Sequence, residues 1–129
     1  MMMKRRSEAA ERFAERRRQE DAAPRLKDTV PDLTACKIDI EEWRATGTSA
    51  DVTHTRRVVV DHAPALFVIP CGDTSCRDGG YDITSQLVRG LREGRREVHG
   101  EDTCHGGVGT ATCGRILKFT AQAEYKPKA

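Results

Sequence analysis

Apolar and polar residues alternate most cleanly near the C-terminus, where Leu117, Phe119, Ala121, Ala123 and Tyr125 interleave with Lys118, Thr120, Gln122 and Glu124. A period of two predicts a strand with one face buried, and Pro127 ends it. Between Leu33 and Trp43 two periods compete. Leu33, Cys36, Ile40 and Trp43 fit a helical face, whereas Cys36, Ile38 and Ile40 alternate with Lys37, Asp39 and Glu41. The β-branched run Val58-Val59-Val60, within a second strand at 56–61, offers a pairing partner across a polar loop at 46–53, which favours a strand at 34–44.

Ala65-Leu66-Phe67-Val68-Ile69 is a continuous apolar run between Pro64 and Pro70, predicting a buried strand that delivers the chain to Cys71. Asp78-Gly79-Gly80 marks a turn. Asp82 is placed to cap a helix over 83–93, with Ile83, Leu87, Val88 and Leu91 on one face and Gly94 at its end. A short polar strand centred on Val98 is expected at 95–100. Residues 3–21 are dominated by Ala, Glu and Arg without Gly or Pro, which predicts a helix. Phe13 is its only large apolar residue after the methionines, so a solvated or frayed helix is expected, with Ala22-Ala23-Pro24 as linker.

The pattern sums to an α+β fold: a small, mostly antiparallel sheet of roughly four to five strands with one packed amphipathic helix, plus a charged N-terminal helix. Residues 1–24 form the arm and linker and 25–129 a single small domain. Composition adds a constraint, because 33% of residues are charged and only 5% aromatic. The core must be small and aliphatic, and a crosslink would help it.

The net charge of +2 sits in the arm, where residues 1–21 carry seven Lys or Arg against five acids, while the rest holds fifteen of each sign. Attraction to nucleic acid, or to a protein partner, is therefore assigned to Arg5, Arg6, Arg12, Arg16, Arg17 and Arg18. No apolar run follows the N-terminal basic residues, and none is long enough to span a membrane. A cytoplasmic location is the resulting expectation, and in a reducing compartment paired cysteines serve more often as metal ligands or redox groups than as disulfides.

Four of the five cysteines fall into two sequence pairs, Cys71-x4-Cys76 and Cys104-x8-Cys113. Tetrahedral zinc suits four thiolates. The first pair has a usual ligand spacing; the second spans eight residues, and Gly106, Gly107 and Gly109 let that loop curl back on itself. A structural zinc site on Cys71, Cys76, Cys104 and Cys113 is expected, with His105 as the substitute ligand. Packed reduced cysteines and a thiol-disulfide switch are the competing readings, the latter weakened because neither pair is Cys-x-x-Cys. Cys36 is read as a core residue, and His54, His62 and His99 as surface or hydrogen-bonded groups.

Asp73, Asp78 and Asp82 lack the spacing of a calcium loop and are assigned to turns and caps. No dinucleotide fingerprint, phosphate loop, zinc-protease or nucleophile-elbow motif is present, and the deaminase pattern fails after Pro70-Cys71. The phrases APALFVIPC, CRDGGYDIT, EDTCHGGVG and CGRILKF resemble those of short, uncharacterised bacterial proteins with four cysteines, and more broadly zinc-ribbon-like modules. That resemblance covers roughly 58–125 and implies the same ligands, without implying an activity. The resulting expectation is a zinc-binding, non-enzymatic binding or regulatory module, with a thiol-based redox or metal sensor as the alternative.

Overall fold

The computed structural model describes residues 8–127. In chain order its elements are α1 (Glu8–Ala22), α2 (Leu26–Thr29), β1 (Leu33–Trp43), β2 (Ala50–Val58), β3 (Val68–Pro70), β4 (Gly80–Asp82), α3 (Thr84–Arg92), β5 (Glu97–Thr103), β6 (Gly107–Val108), β7 (Ala111–Thr112) and β8 (Ile116–Tyr125). The fold is α+β, built on a four-stranded antiparallel sheet in the order β2-β1-β8-β5. Small two-stranded pieces, β3-β4 and β6-β7, flank it.

The central pair β1 and β8 follows the alternation of its sequence. Ile38 lies opposite Ala121 and Ile40 opposite Phe119, all of them buried. The register resolves the competing periods of 33–43 in favour of a strand, because only period two places Cys36, Ile38, Ile40 and Glu42 together on the covered face. The other face carries Lys37, Asp39, Glu41, Lys118, Thr120, Gln122 and Glu124, each exposed or half-buried. A sheet covered on one side and wet on the other is the ordinary result of antiparallel strands so patterned.

Helix α3 covers the inner face. Ile83, Leu87 and Leu91 are buried as their spacing predicts, and Val88 packs at the edge of the same cluster. Asp82 does work at the start of the helix: its carboxylate accepts the Thr84 amide at 2.9 Å. At the other end Gly94 takes φ +76°, and the amides of Gly94 and Arg95 close on the carbonyls of Leu91 and Gly90, a Schellman termination. At Gly90 the helix backbone approaches β5 so closely that an added Cβ would lie 2.6 Å from Val98 Cγ2.

Three segments differ from expectation. The second strand is Ala50–Val58, longer and earlier than 56–61, and the expected loop at 46–53 shrinks accordingly. Val52, Thr53 and Thr55 are β-formers despite their polar surroundings, and pairing with β1 extends through them. Val59 leaves the sheet and is exposed, whereas Val60 turns into the core.

The apolar run 65–69 is buried at Ala65, Phe67 and Ile69, but only Val68–Pro70 is strand, and it pairs with β4 outside the main sheet. It serves as a lid strapped to α3, with the Phe67 amide donating to Thr84 Oγ1 and the Ile83 amide to the Phe67 carbonyl. The polar strand expected at 95–100 runs instead over Glu97–Thr103, because β8 supplies a partner along that whole length.

Helix α1 occupies Glu8–Ala22, and none of its described side chains is buried. Residues 3–7 of the predicted helix lie outside the described residues. Among the described residues, no helix is long and apolar enough to cross a membrane.

Candidate metal centre

The topology brings two loops to one end of the sheet. The first runs between β3 and β4 and carries Cys71 and Cys76; the second connects β5 to β8 and carries Cys104 and Cys113. The second loop leaves and rejoins the sheet at one point, because the Cys104 amide donates to the Arg115 carbonyl at 2.8 Å and the Gly114 amide to the Cys104 carbonyl at 3.1 Å. Within it β6 and β7 form a short hairpin, and the Cys113 amide donates to the Gly106 carbonyl at 2.7 Å. The eight-residue spacing is thus folded down to a tight loop. Paired Arg77–Gly107 backbone hydrogen bonds of 2.8 and 2.9 Å then fasten one loop to the other.

The sulfurs of Cys71, Cys76, Cys104 and Cys113 all lie within 4.8 Å of one another. Cys71 Sγ is 3.8 Å from Cys113 Sγ, and Cys76 Sγ is 3.6 Å from Cys104 Sγ. A disulfide requires about 2.05 Å, and all of these cysteines are free thiols. Zinc–sulfur bonds of about 2.3 Å at tetrahedral angles place sulfurs about 3.8 Å apart. The observed spacing therefore fits a metal tetrahedron, with one cysteine from each loop contributing to each short edge.

The backbone also faces the sulfurs. Gly79 and Gly106 press against them: an added Cβ at Gly79 would lie 2.6 Å from Cys104 Sγ and overlap Cys76 Sγ, and one at Gly106 would overlap Cys76 Sγ too. Burial pushes the Cys71 thiol up, against the pull of the Asp73 amide, and neighbouring Cys113 and Cys104 add to the rise. Burial likewise pushes Cys76 up, reinforced by Cys104 and Cys113. At fully buried Cys104 burial acts in the same direction, yet the amides of Gly106 and Gly80 and the thiols of Cys76 and Cys113 outweigh it and hold the group below the ordinary thiol range. Amides two residues on, at Asp73 and Gly106, thus serve the leading cysteine of each pair. Thiols this close resist joint ionisation unless a cation shares the charge.

Behind the centre lies a polar network that sequence patterning missed. Glu42 is 2% exposed, on the inner face of β1 where alternation calls for an apolar residue. Its Oε1 accepts the Gly72 amide at 2.8 Å and the Tyr81 hydroxyl at 3.1 Å, so it holds both the residue after Cys71 and strand β4. Burial, and then the Glu42 charge, push the Tyr81 phenol up. Nearby, Arg115 is 8% exposed and reaches Asp51 through two hydrogen bonds of 3.0 and 2.7 Å, tying the start of β8 to the start of β2. The available signal was Glu42 itself, an acid in phase with Ile38 and Ile40.

His105 is exposed and stands outside the group, although it is adjacent in sequence to Cys104. Cys36 is a buried core residue on β1, its thiol pushed up to about 11 by desolvation. His54 and His99 are exposed, the latter 3.3 Å from Glu97, and exposed His62 offers its carbonyl to Arg25. Of the arm residues, Arg12, Arg16, Arg17 and Arg18 lie on α1, where Arg18 pairs with Glu15 at 2.6 Å. Arg5 and Arg6 lie outside the described residues. Compared with known proteins, the chain gives no significant match to a family model, a curated protein or a solved structure.

Proposed function

We propose that this is a small zinc-binding protein in which Cys71, Cys76, Cys104 and Cys113 hold one Zn2+ as a structural crosslink, and that it works as a non-enzymatic binding or regulatory module. The observation that carries this reading is the mutual approach of the four sulfurs within 4.8 Å. Thiolates would fill all four positions of a tetrahedral shell, leaving no open position for a catalytic water. The ligand set is the one implied by the likeness to zinc-ribbon-like modules.

A crosslink there has a clear mechanical task. It joins the β3-β4 loop, whose far end leads into α3, to the loop between β5 and β8. Both loops are rich in glycine and polar residues and bury little apolar surface of their own, so metal binding would supply their folding energy. Cytoplasmic residence fits a centre of reduced thiolates.

For the binding role, a protein partner suits the described surface better than nucleic acid. On the open face of the sheet Lys37, Arg57 and Lys118 are outnumbered by Asp39, Glu41, Glu97, Glu101 and Glu124. Nucleic-acid binding would fall to the basic residues of the arm, and would weaken steeply with salt and vanish on deletion of residues 1–22. The metal reading is tested by chelation: removing zinc should unfold the 25–129 domain, and a protein of unchanged stability after chelation contradicts it.

A further inference from the structure

We propose that the cysteine centre is also a hydroperoxide-sensitive site, at which Cys113 is attacked first and Cys71 closes the disulfide. The proposal rests on reading the four cysteines as zinc ligands, and adds to it a defined order of oxidation.

The two short sulfur pairs are unequal in access. Cys104 is 0% exposed, so the Cys76–Cys104 pair has one sulfur out of reach, and half-buried Cys76 is crowded by the backbone of Gly79 and Gly106. Cys113 instead lines a cleft of ≈ 410 Å³, together with Arg44, Asp51, Gly72, Asp73 and Arg115. Asp51 bonds both arginines, and Asp73 balances the remaining cation, so the cleft is neutral overall. A neutral cleft suits a small uncharged oxidant such as hydrogen peroxide over an anionic one.

The chemistry follows from the distances. The Cys113 thiolate attacks one peroxide oxygen, the O–O bond breaks, hydroxide leaves, and Cys113 becomes a sulfenic acid. The partner thiolate at 3.8 Å is Cys71, which attacks the Cys113 sulfur and expels a second hydroxide to form the disulfide. One peroxide is reduced and two thiolates are oxidised by one electron each. With only two thiolates left, the zinc is released. The product crosslinks the two loops, as the metal did, whereas pairing within either sequence pair would not.

Zinc-loaded full-length protein is treated with less than one equivalent of hydrogen peroxide. Free and oxidised cysteines are then labelled with different alkylating tags and located by fragment-ion mass spectrometry, while a chromogenic chelator reads zinc. The expected result is loss of free thiol at Cys71 and Cys113, with Cys76 and Cys104 retained and zinc released in step. In Cys71→Ser, a sulfenic acid should persist at Cys113 and be trapped by dimedone; should that variant not fold, the wild-type labelling decides alone. Oxidation spread over all four cysteines, beginning at Cys76 or Cys104, or joining Cys71 to Cys76 overturns the proposal. Should the protein prove folded without zinc, the same labelling on that reduced, zinc-free form separates the proposal from the metal reading. Protein that never holds zinc sinks that reading, while its labelling pattern still decides the order of attack.

Discussion

Gly79 lies so close to Cys104 that a methyl group on its Cα would come within 2.6 Å of the sulfur. Gly106 presses in the same way on Cys76 Sγ and on the Cα of Gly79. Gly79→Ala and Gly106→Ala should therefore displace a ligand and lose zinc in competition with a chelator of moderate affinity. Gly109→Ala is the control. Gly109 has φ +62° with nothing near its missing side chain, so alanine should cost about 1–2 kcal/mol of backbone strain and leave zinc retention unchanged. Equal zinc loss in all three variants would mean that general destabilisation of the loops, not crowding at the sulfurs, governs the site.

Glu42 is placed to position Cys71 through the Gly72 amide, and Tyr81→Phe and Glu42→Ala should separate its two contacts. Tyr81→Phe removes one hydrogen bond, at a cost of about 1 kcal/mol. Glu42→Ala strips the acceptor from both the Gly72 amide and the buried Tyr81 hydroxyl, at about 1–3 kcal/mol for each group left unsatisfied. Urea unfolding of the zinc-loaded protein checks the order, and identical midpoints for the two variants would remove Glu42 from this role.

The Arg115–Asp51 pair carries a pH signature. Hydrogen bonds from Arg115 hold the Asp51 carboxyl below its ordinary range, against the opposing effect of burial. A depressed carboxyl stabilises the fold above its unfolded pKa of about 3.9, and that contribution disappears as pH falls through the lower folded value. Asp51→Asn should thus be less stable than wild type near neutrality, with the gap closing below about pH 3.9. Thermal unfolding of both zinc-loaded proteins, from neutrality down to the pH at which zinc leaves, tests the difference. Equal stability of the two near neutrality contradicts the assignment.

Gly90 and Val98 set the distance between α3 and β5. Gly90→Ala should overpack the contact and destabilise by about 1–3 kcal/mol. Trimming Val98 to Ala opens the space the new methyl needs, so the double variant should cost less than the sum of the single ones in a denaturation cycle. Strict additivity would show that the helix simply shifts.

What could be read from the sequence was what repeats with a period. The alternation of 117–125 and the helical face of Ile83, Leu87 and Leu91 were legible because packing on one face imposes those periods. The cysteine pairs were legible because metal ligands come in characteristic types and spacings. The polar edge strand β2 was half hidden, as a strand at the edge of a sheet buries few side chains and so shows no alternation. The network of Glu42, Tyr81, Arg115 and Asp51 was not legible, because its members are brought together only when β1, β2, β4 and β8 converge. The run Ala65–Ile69 announces its burial but not its irregular backbone, since an apolar run signals burial without specifying what satisfies its backbone.

The most direct test of the central claim is native mass spectrometry of the full chain, purified under reducing conditions without added zinc. The account predicts one zinc ion per chain, lost together in the Cys104→Ser and Cys113→Ser variants while Cys36→Ser keeps it. A folded, metal-free wild-type protein that takes up no zinc on addition would contradict it.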